Sequence, residues 1–440
     1  VYITEIVASN LRSLRGEHSI DLDRGDGTYP GWTVFAGRNG AGKSTLLKAL
    51  ALATIGPLAS RSLAGVFTDW VCRGAEHAVF RARMVRDQSH DQFKAGRPTN
   101  NPFWVGLTWK ATPHATDVLA RWEDKKIEAT RSGANGPWAD APMGWFIAGY
   151  GPYRHLGAPP TEVVKLSADP VMARLINLFN ESATLSDAVD WLKGIHLRAL
   201  EERPGAAELR DDVIRVLNDG LLPDGSSVRG VDSEGLWIER DGVKMPLEQV
   251  SDGYRTVTAL VVDLIRRLQD TFGRLGLEGE PNRTICRLPG VVLIDEVDAH
   301  MHVAWQQGIG PWLTAHFPAI QFLVTTHSPY ICQAASPRGL IRLPAPGEDR
   351  RMEHVPDDLF KAVVNGGADD AVLTELFGLE HAHSARSERL RAEVAALEVK
   401  ALLGTASPAE VVRYQEMKTQ LPTDLGELAD RRLRELVVGT

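Results

Sequence analysis

Cysteine is scarce in this chain. Cys72, Cys286 and Cys332 are its 3 cysteines among 440 residues, and they lie far apart. They form no C-x-x-C pair, so neither a zinc knuckle nor a disulfide framework is expected, and a reduced, cytoplasmic compartment suits the composition. Long apolar runs are missing as well. No stretch of about 18 uncharged apolar residues occurs, so no membrane-spanning helix is expected. Val1 to Asn10 lacks a basic segment followed by an apolar core, so no signal peptide is expected either. Positive charge is not in excess: 57 acids against 49 bases give a formal net charge of −8, which argues against coating nucleic acid by bulk charge. That acidity is local. Residues 341–380 hold 9 acids and 4 bases, whereas the first 340 hold 39 and 36. The earlier part is close to neutral, so a local nucleic-acid surface stays open. No repeat of 20–50 residues is visible. What is present, 43% hydrophobic and 24% charged residues, is enough for a large core and about two to four domains.

The apolar pattern alternates between strand and helix. Residues 2–8 read as a strand with a hairpin partner near Ser19–Leu22. Gly31 to Phe35 is a strand, and Lys43 to Ile55 has helical composition. HAVFRARMV and FWVGLTWKA alternate as strands, in a region that also holds Trp104, Trp109, Trp122, Trp138 and Trp145. Core packing is the first reading of these tryptophans and base stacking the second. Residues 168–219 look helical, broken at Pro204-Gly205. Asp241-Gly242 sits between alternating runs and marks a hairpin turn. Residues 253–272 predict a helix, and Leu288–Ile294 and Gln321–Thr325 predict strands buried on both faces. Residues 384–436 predict about three helices, with Leu390, Val394 and Leu397 forming a stripe on the first.

Gly37-Arg38-Asn39-Gly40-Ala41-Gly42-Lys43-Ser44 fits G-x-x-x-x-G-K-[ST] between a strand and a helix. Glycines let backbone N–H groups turn inward onto phosphate oxygens, and the helix adds its positive end. Lys43 is placed to reach the β- and γ-phosphates and Ser44, followed by Thr45, to ligate Mg²⁺. The second signal is Val291-Val292-Leu293-Ile294-Asp295-Glu296, an apolar strand ending in two carboxylates. Asp295 is assigned to the metal and Glu296 to the general base. His327 follows a second buried strand, where it suits a hydrogen bond to the γ-phosphate or the attacking water.

These segments together resemble the heads of ABC-type ATPases, in particular the SMC/RecF/OLD-like branch. The expected fold is α/β: a P-loop ATPase head of two lobes with a mixed central sheet, a helical insertion and a C-terminal helical tail. The expected boundaries are 1–155 and 226–345 for the lobes, 156–225 for the insertion and 346–440 for an acidic linker and tail. By the resemblance, Ser251 and Gly253 of Val250-Ser251-Asp252-Gly253-Tyr254-Arg255 bind ATP held by a second copy, so ATP implies a homodimer. Asp298 belongs to the D-loop, His327 is the switch histidine, and Arg12 of Asn10-Leu11-Arg12-Ser13-Leu14 approaches the nucleotide. No convincing Q-loop glutamine is present; Ala148 to Arg154, similar to a Y-G-P-x-R element of one bacterial subgroup, is a candidate replacement. That subgroup comprises the stand-alone ATPases of bacterial antiphage loci of the Septu and retron-associated kind. The resemblance implies ATP and Mg²⁺ as cofactors, a role as sensor in defence, and an HNH-type nuclease as partner, with DNA as a further candidate partner and no membrane.

Other readings stay open. The short distance between the motifs excludes the long coiled coil of chromosome-organising SMC proteins. A RecF-like repair clamp shares every motif, and the nucleotide-binding subunit of a transporter is a third reading. His300-Met301-His302 offers a weak zinc reading, and His381 and His383 read as surface. Arg266, Arg267, Arg274, Arg283 and Arg287 read as a solvated face or, in the second place, as a track for a phosphate backbone.

Overall fold

The structure is a computed structural model. It describes residues 1–64, 67, 69–93, 102–111, 136–139, 142–157, 160–167, 169–280, 283–372, 374, 376–377 and 384–421. Trp122, His381, His383 and the third expected tail helix lie outside the described residues. The chain divides into two compact units, Val1–Ala371 and Val372–Thr440.

In chain order, the first unit begins with β1 (Tyr2–Leu11), β2 (Leu14–Asp21), β3 (Gly31–Ala36), α1 (Lys43–Ala64), β4 (His77–Val85), β5 (Phe103–Lys110) and β6 (Ile147–Tyr150). Helices follow: α2 (Thr161–Leu166), α3 (Pro170–Ala173), α4 (Ile176–Phe179), α5 (Ser186–Leu200) and α6 (Ala206–Asn218). Then come β7 (Ser227–Val231), β8 (Leu236–Arg240), β9 (Val243–Pro246), α7 (Asp252–Phe272), β10 (Leu277–Glu280), β11 (Arg283–Cys286) and β12 (Gly290–Ile294). The unit continues with α8 (Val303–His316), β13 (Ile320–Thr325), α9 (Pro329–Gln333), β14 (Leu340–Arg342), β15 (Glu353–His354) and α10 (Asp357–Asn365).

The central sheet has six strands in the order β15-β14-β3-β13-β12-β6. All its pairs are parallel except β14 with β15. Strands of a parallel sheet covered on both faces need apolar side chains in both directions, which is why VVLI and FLVT read as continuous apolar runs. Their residues are fully buried. Gln321 is a polar exception, and its amide both donates to the Ile3 carbonyl and accepts the Ile3 N–H, each at 2.8 Å. That side chain ties β1 to the central sheet. The second sheet is antiparallel, in the order β2-β1-β4-β5.

Helix α1 lies between the sheets, touching β4 and β5 on one side and β12 and β13 on the other. It is long and apolar enough to cross a membrane by composition, and 67% of that stretch is buried in the head, so its apolar character serves the core. The helix runs past the expected end at Ile55 through a kink at Gly56, whose φ is 85°. Pro57 has no N–H to give the Ala53 carbonyl. The Trp138 indole N–H supplies that bond instead, at 2.9 Å, with its ring packed over Gly56. Trp109 and Trp145 are buried in the core and Trp104 is half-buried, so the packing reading of the tryptophans holds for these.

The Asp241-Gly242 turn joins β8 and β9, with φ of 51° and 79°, as a two-residue hairpin requires. The stretch VMARLINLFN is not one helix; it forms the single turns α3 and α4 around Arg174 and Leu175. The arginine cluster is also different from a continuous solvated track. Arg267 is turned largely inward, 12% exposed and paired with Asp263 at 3.3 Å, and Arg287 pairs with Glu278 at 2.7 Å. The second unit contains a helical hairpin, α11 (Ala385–Leu402) and α12 (Pro408–Lys418). Ser407 and Glu410 form a capping box at its turn, and Lys400–Glu410 and Arg413–Glu393 ion pairs join its helices. Val394 and Leu397 of the expected stripe are buried.

Candidate functional site

The glycine loop follows the expected plan. β3 ends at Ala36, the loop turns through residues 37–42, and α1 starts at Lys43. Gly42 has φ of 93°, and a Cβ there would lie 2.9 Å from the Ser13 hydroxyl. Only glycine meets both conditions. The first amides of α1 lack helical acceptors, so the helix presents N–H groups and its positive end at the loop. Lys43 is 6% exposed. Its Nζ donates to the carbonyls of Gly37 and Arg38 at 2.7 and 3.3 Å. Burial lowers its pKa, while the carboxylates of Asp295, Glu296 and Asp298 pull the other way.

The carboxylates stand on the turn after β12. Asp295 is buried, and its N–H donates to the Tyr150 carbonyl at the end of β6, at 2.8 Å. One hydroxyl then organises both acids. Thr325, fully buried at the end of β13, donates to Asp295 Oδ1 at 2.5 Å and accepts the Glu296 N–H at 2.8 Å. Glu296 has φ of 45°, unusual for a residue with a side chain. Asp298 accepts the Thr326 hydroxyl and the His327 N–H, the latter at 3.4 Å. The parallel pairing of β12 with β13 explains the arrangement: Ile294 sits opposite Val324, so the next residue of each strand, Asp295 and Thr325, emerges at the same level.

A cavity of about 380 Å³ opens where these pieces meet. It is lined by Arg12, Ser13, Asn39, Gly40, Ala41, Gly42, Lys43, Ser44, Thr45, Glu296 and His327. Sequence positions up to 315 apart thus converge on one space. Gly37, Asp295 and Asp298 do not line it; they stand behind it, holding Lys43, Thr325 and the His327 backbone. His327 has a lowered pKa, chiefly through burial and then through the Lys43 charge, which favours the neutral imidazole. Arg12 also lies over the Trp70 ring at 5.2 Å.

Ser251 and Gly253 are not brought to this cavity. Ser251 is the exposed residue just before α7, and Gly253 is buried where a Cβ would lie 3.0 Å from the Trp305 ring. The Y-G-P-x-R segment contributes no side chain to the cavity lining, contrary to a Q-loop replacement. Arg154 lies instead beneath the acidic turn, 1% exposed and bonded to its carbonyls. Thr325 and Arg154 are therefore the two supporting residues that the motifs did not single out for this part. The pairing register of two apolar strands was the available signal for the first.

Residues 5–81 match the family described as "AAA domain", and residues 165–333 match that described as "AAA domain, putative AbiEii toxin, Type IV TA system". Both segments carry pieces of the site just described: the first holds the glycine loop, the second the acidic turn and His327. Each match is to an AAA-domain model, and neither spans half of the chain. Among curated proteins this chain is similar to the Septu protein PtuA of Bacillus mycoides (strain KBAB4), 25% identical over 340 residues, which cover 77% of this chain and 39% of that one. It is also similar to the Retron Ec83 probable ATPase of Escherichia coli, 40% identical over 99 residues, 22% of this chain and 17% of that one. The chain thus spans about two fifths of the first relative and less of the second. Among solved structures, the SMC head domain from Thermotoga maritima aligns with a TM-score of 0.41 and 15% identity, covering 81% of this chain and 100% of that one.

Proposed function

We propose that this chain binds ATP with Mg²⁺, hydrolyses it, and uses ATP to join two copies into a sensor of bacterial antiphage defence that controls a partner nuclease, in a cytoplasmic setting. The observation that carries the reading is the single cavity that unites the glycine loop, Arg12, Glu296 and His327. The donor set suits the metal. A serine hydroxyl at Ser44 and a buried carboxylate at Asp295 are hard oxygen ligands, and Mg²⁺ takes few protein ligands beside phosphates and water. When bound, the ion neutralises phosphate charge during transfer.

The residues then have distinct tasks. Lys43 exchanges neutral carbonyl partners for a charge-assisted bond to phosphate. Glu296 takes the proton of the attacking water, and neutral His327 hydrogen-bonds the γ-phosphate or that water. Ser251 and Gly253 stand off this cavity, which supports their serving the nucleotide of a second copy. Nucleotide-dependent pairing follows, because ATP then binds the paired state better than the separate one. The likeness to Septu and retron ATPases supports the defence role, and the nuclease partner is proposed with it.

The test is phosphate release from ATP and Mg²⁺ by the wild-type chain and by Lys43→Met. Turnover in the first and its loss in the second, by about 100-fold or more, is expected. A variant as active as the wild type would overturn the assignment.

A further inference from the structure

We propose that Arg154 is the positioning residue for Glu296, a buried cation that shapes the turn on which the catalytic base is carried. The inference rests on the ATPase reading above. Arg154 is 1% exposed, and its guanidinium hydrogen bonds go to main-chain carbonyls. Nη1 donates to Gly151 at 2.9 Å and Asp295 at 3.1 Å. Nη2 donates to Glu296 and Val297, both at 3.1 Å, and to Ala299 at 3.3 Å. Four of these five carbonyls belong to one turn. Its oxygens converge on one point, where they repel one another unless a cation with several donors stands there.

The geometry of the turn fits that account. Glu296 and His300 both have left-handed backbones, with φ of 45° and 63°. Such conformations persist in residues with side chains only where surroundings impose them. The φ of Glu296 also aims its side chain, so the force that holds the backbone sets the base. A buried guanidinium without a carboxylate bonded to it is costly by itself, and burial pulls the Arg154 pKa down to about 10. The nearby charges of Asp298, Asp295 and Glu296 oppose that pull, in that order. Arg154 is thus matched to the turn twice, by its planar donors and by its charge. It does not line the nucleotide cavity, so it acts through Glu296 and touches no substrate.

Lysine carries the charge but not the fork, and methionine carries neither. The test uses the full chain with Arg154→Lys and Arg154→Met, measuring kcat, KM for ATP with Mg²⁺, and the Kd of a fluorescent non-hydrolysable ATP analogue. In the lysine variant kcat is expected to fall about 100-fold, the loss typical of a reacting group displaced by an ångström, with Kd within about 3-fold of wild type. In a Glu296→Gln background the same lysine substitution should change the residual rate less than about 2-fold, since the group it positions is already gone. A lysine variant with unchanged kcat overturns the inference. So does one that fails to fold or loses analogue binding in step with activity, which would make Arg154 structural only. A wild-type chain with no ATPase activity overturns the ATPase reading and this inference with it; an active wild type with an equally active lysine variant overturns this inference alone.

Discussion

Replacing Thr325 by valine removes one oxygen from the interior and nothing else of comparable size. That oxygen donates to Asp295 Oδ1 at 2.5 Å and accepts from the Glu296 N–H at 2.8 Å. Valine fills the same volume, so no cavity is created, and the site is fully buried, so water does not replace the lost partner. A buried group left without its partner costs about 1–3 kcal/mol, more when it is charged. The two orphaned groups together therefore cost about 3–5 kcal/mol. Part of this appears as lost stability and part as displacement of the two acids. We expect the urea midpoint to fall by an amount equal to about 2–3 kcal/mol, and kcat for ATP to fall at least about 10-fold, which is 1.4 kcal/mol of lost transition-state stabilisation. Thr325→Ser keeps the hydroxyl and loses one methyl, about 1 kcal/mol of burial, and should keep its turnover. Equal stability and equal kcat in the valine and serine variants would show that the Thr325 hydroxyl does not hold the two acids.

Two further predictions concern buried polar contacts of the fold. Buried Asp263 accepts the Tyr150 hydroxyl at 3.0 Å and pairs with the largely enclosed Arg267, joining the end of β6 to α7; Asp263→Ala should cost about 3–5 kcal/mol in denaturant unfolding by stranding the guanidinium, and a loss below 1 kcal/mol contradicts the network. His18 is buried, its Nε2 donates to the Arg15 carbonyl and its Nδ1 accepts the Met352 N–H, and burial lowers its pKa. The unfolded chain therefore takes up a proton near pH 6.5 that the folded chain refuses, so stability falls as pH drops below about 6.5. His18→Gln should flatten that slope relative to wild type, and an unchanged slope contradicts the assignment.

The parts of the site that depend on local backbone chemistry were legible in the residues. Gly37 to Ser44 needs glycines for its turn, and Asp241-Gly242 needs positive φ, so both could be read without the fold. Buried strands announced themselves by apolar runs. What stayed hidden depends on contacts distant in sequence. The extension of α1 past Pro57 needs the Trp138 indole on the Ala53 carbonyl, 85 residues away. Helix α8 is masked by Gly308, Gly310 and Pro311, yet a Cβ on Gly310 would lie 3.2 Å from the Trp32 ring, so packing keeps that position small. The arginines between Arg266 and Arg287 looked like one basic face, and the inward turn of Arg267 follows from a partner one helical turn back, Asp263, on the buried side. Arg154 belonged to a motif that was noticed, but its task could be seen only once five carbonyls were found around it.

We propose that one chain supplies the cavity and that a second copy completes it. Light scattering of the Glu296→Gln variant, with and without ATP and Mg²⁺, tests this most directly. Without turnover to release it, the pair should persist, so the mass should double on adding ATP and return on its removal, and Ser251→Arg should abolish the doubling. A mass that does not respond to ATP would rule out nucleotide-dependent pairing, and full ATPase activity in the Glu296→Gln variant would rule out Glu296 as the base.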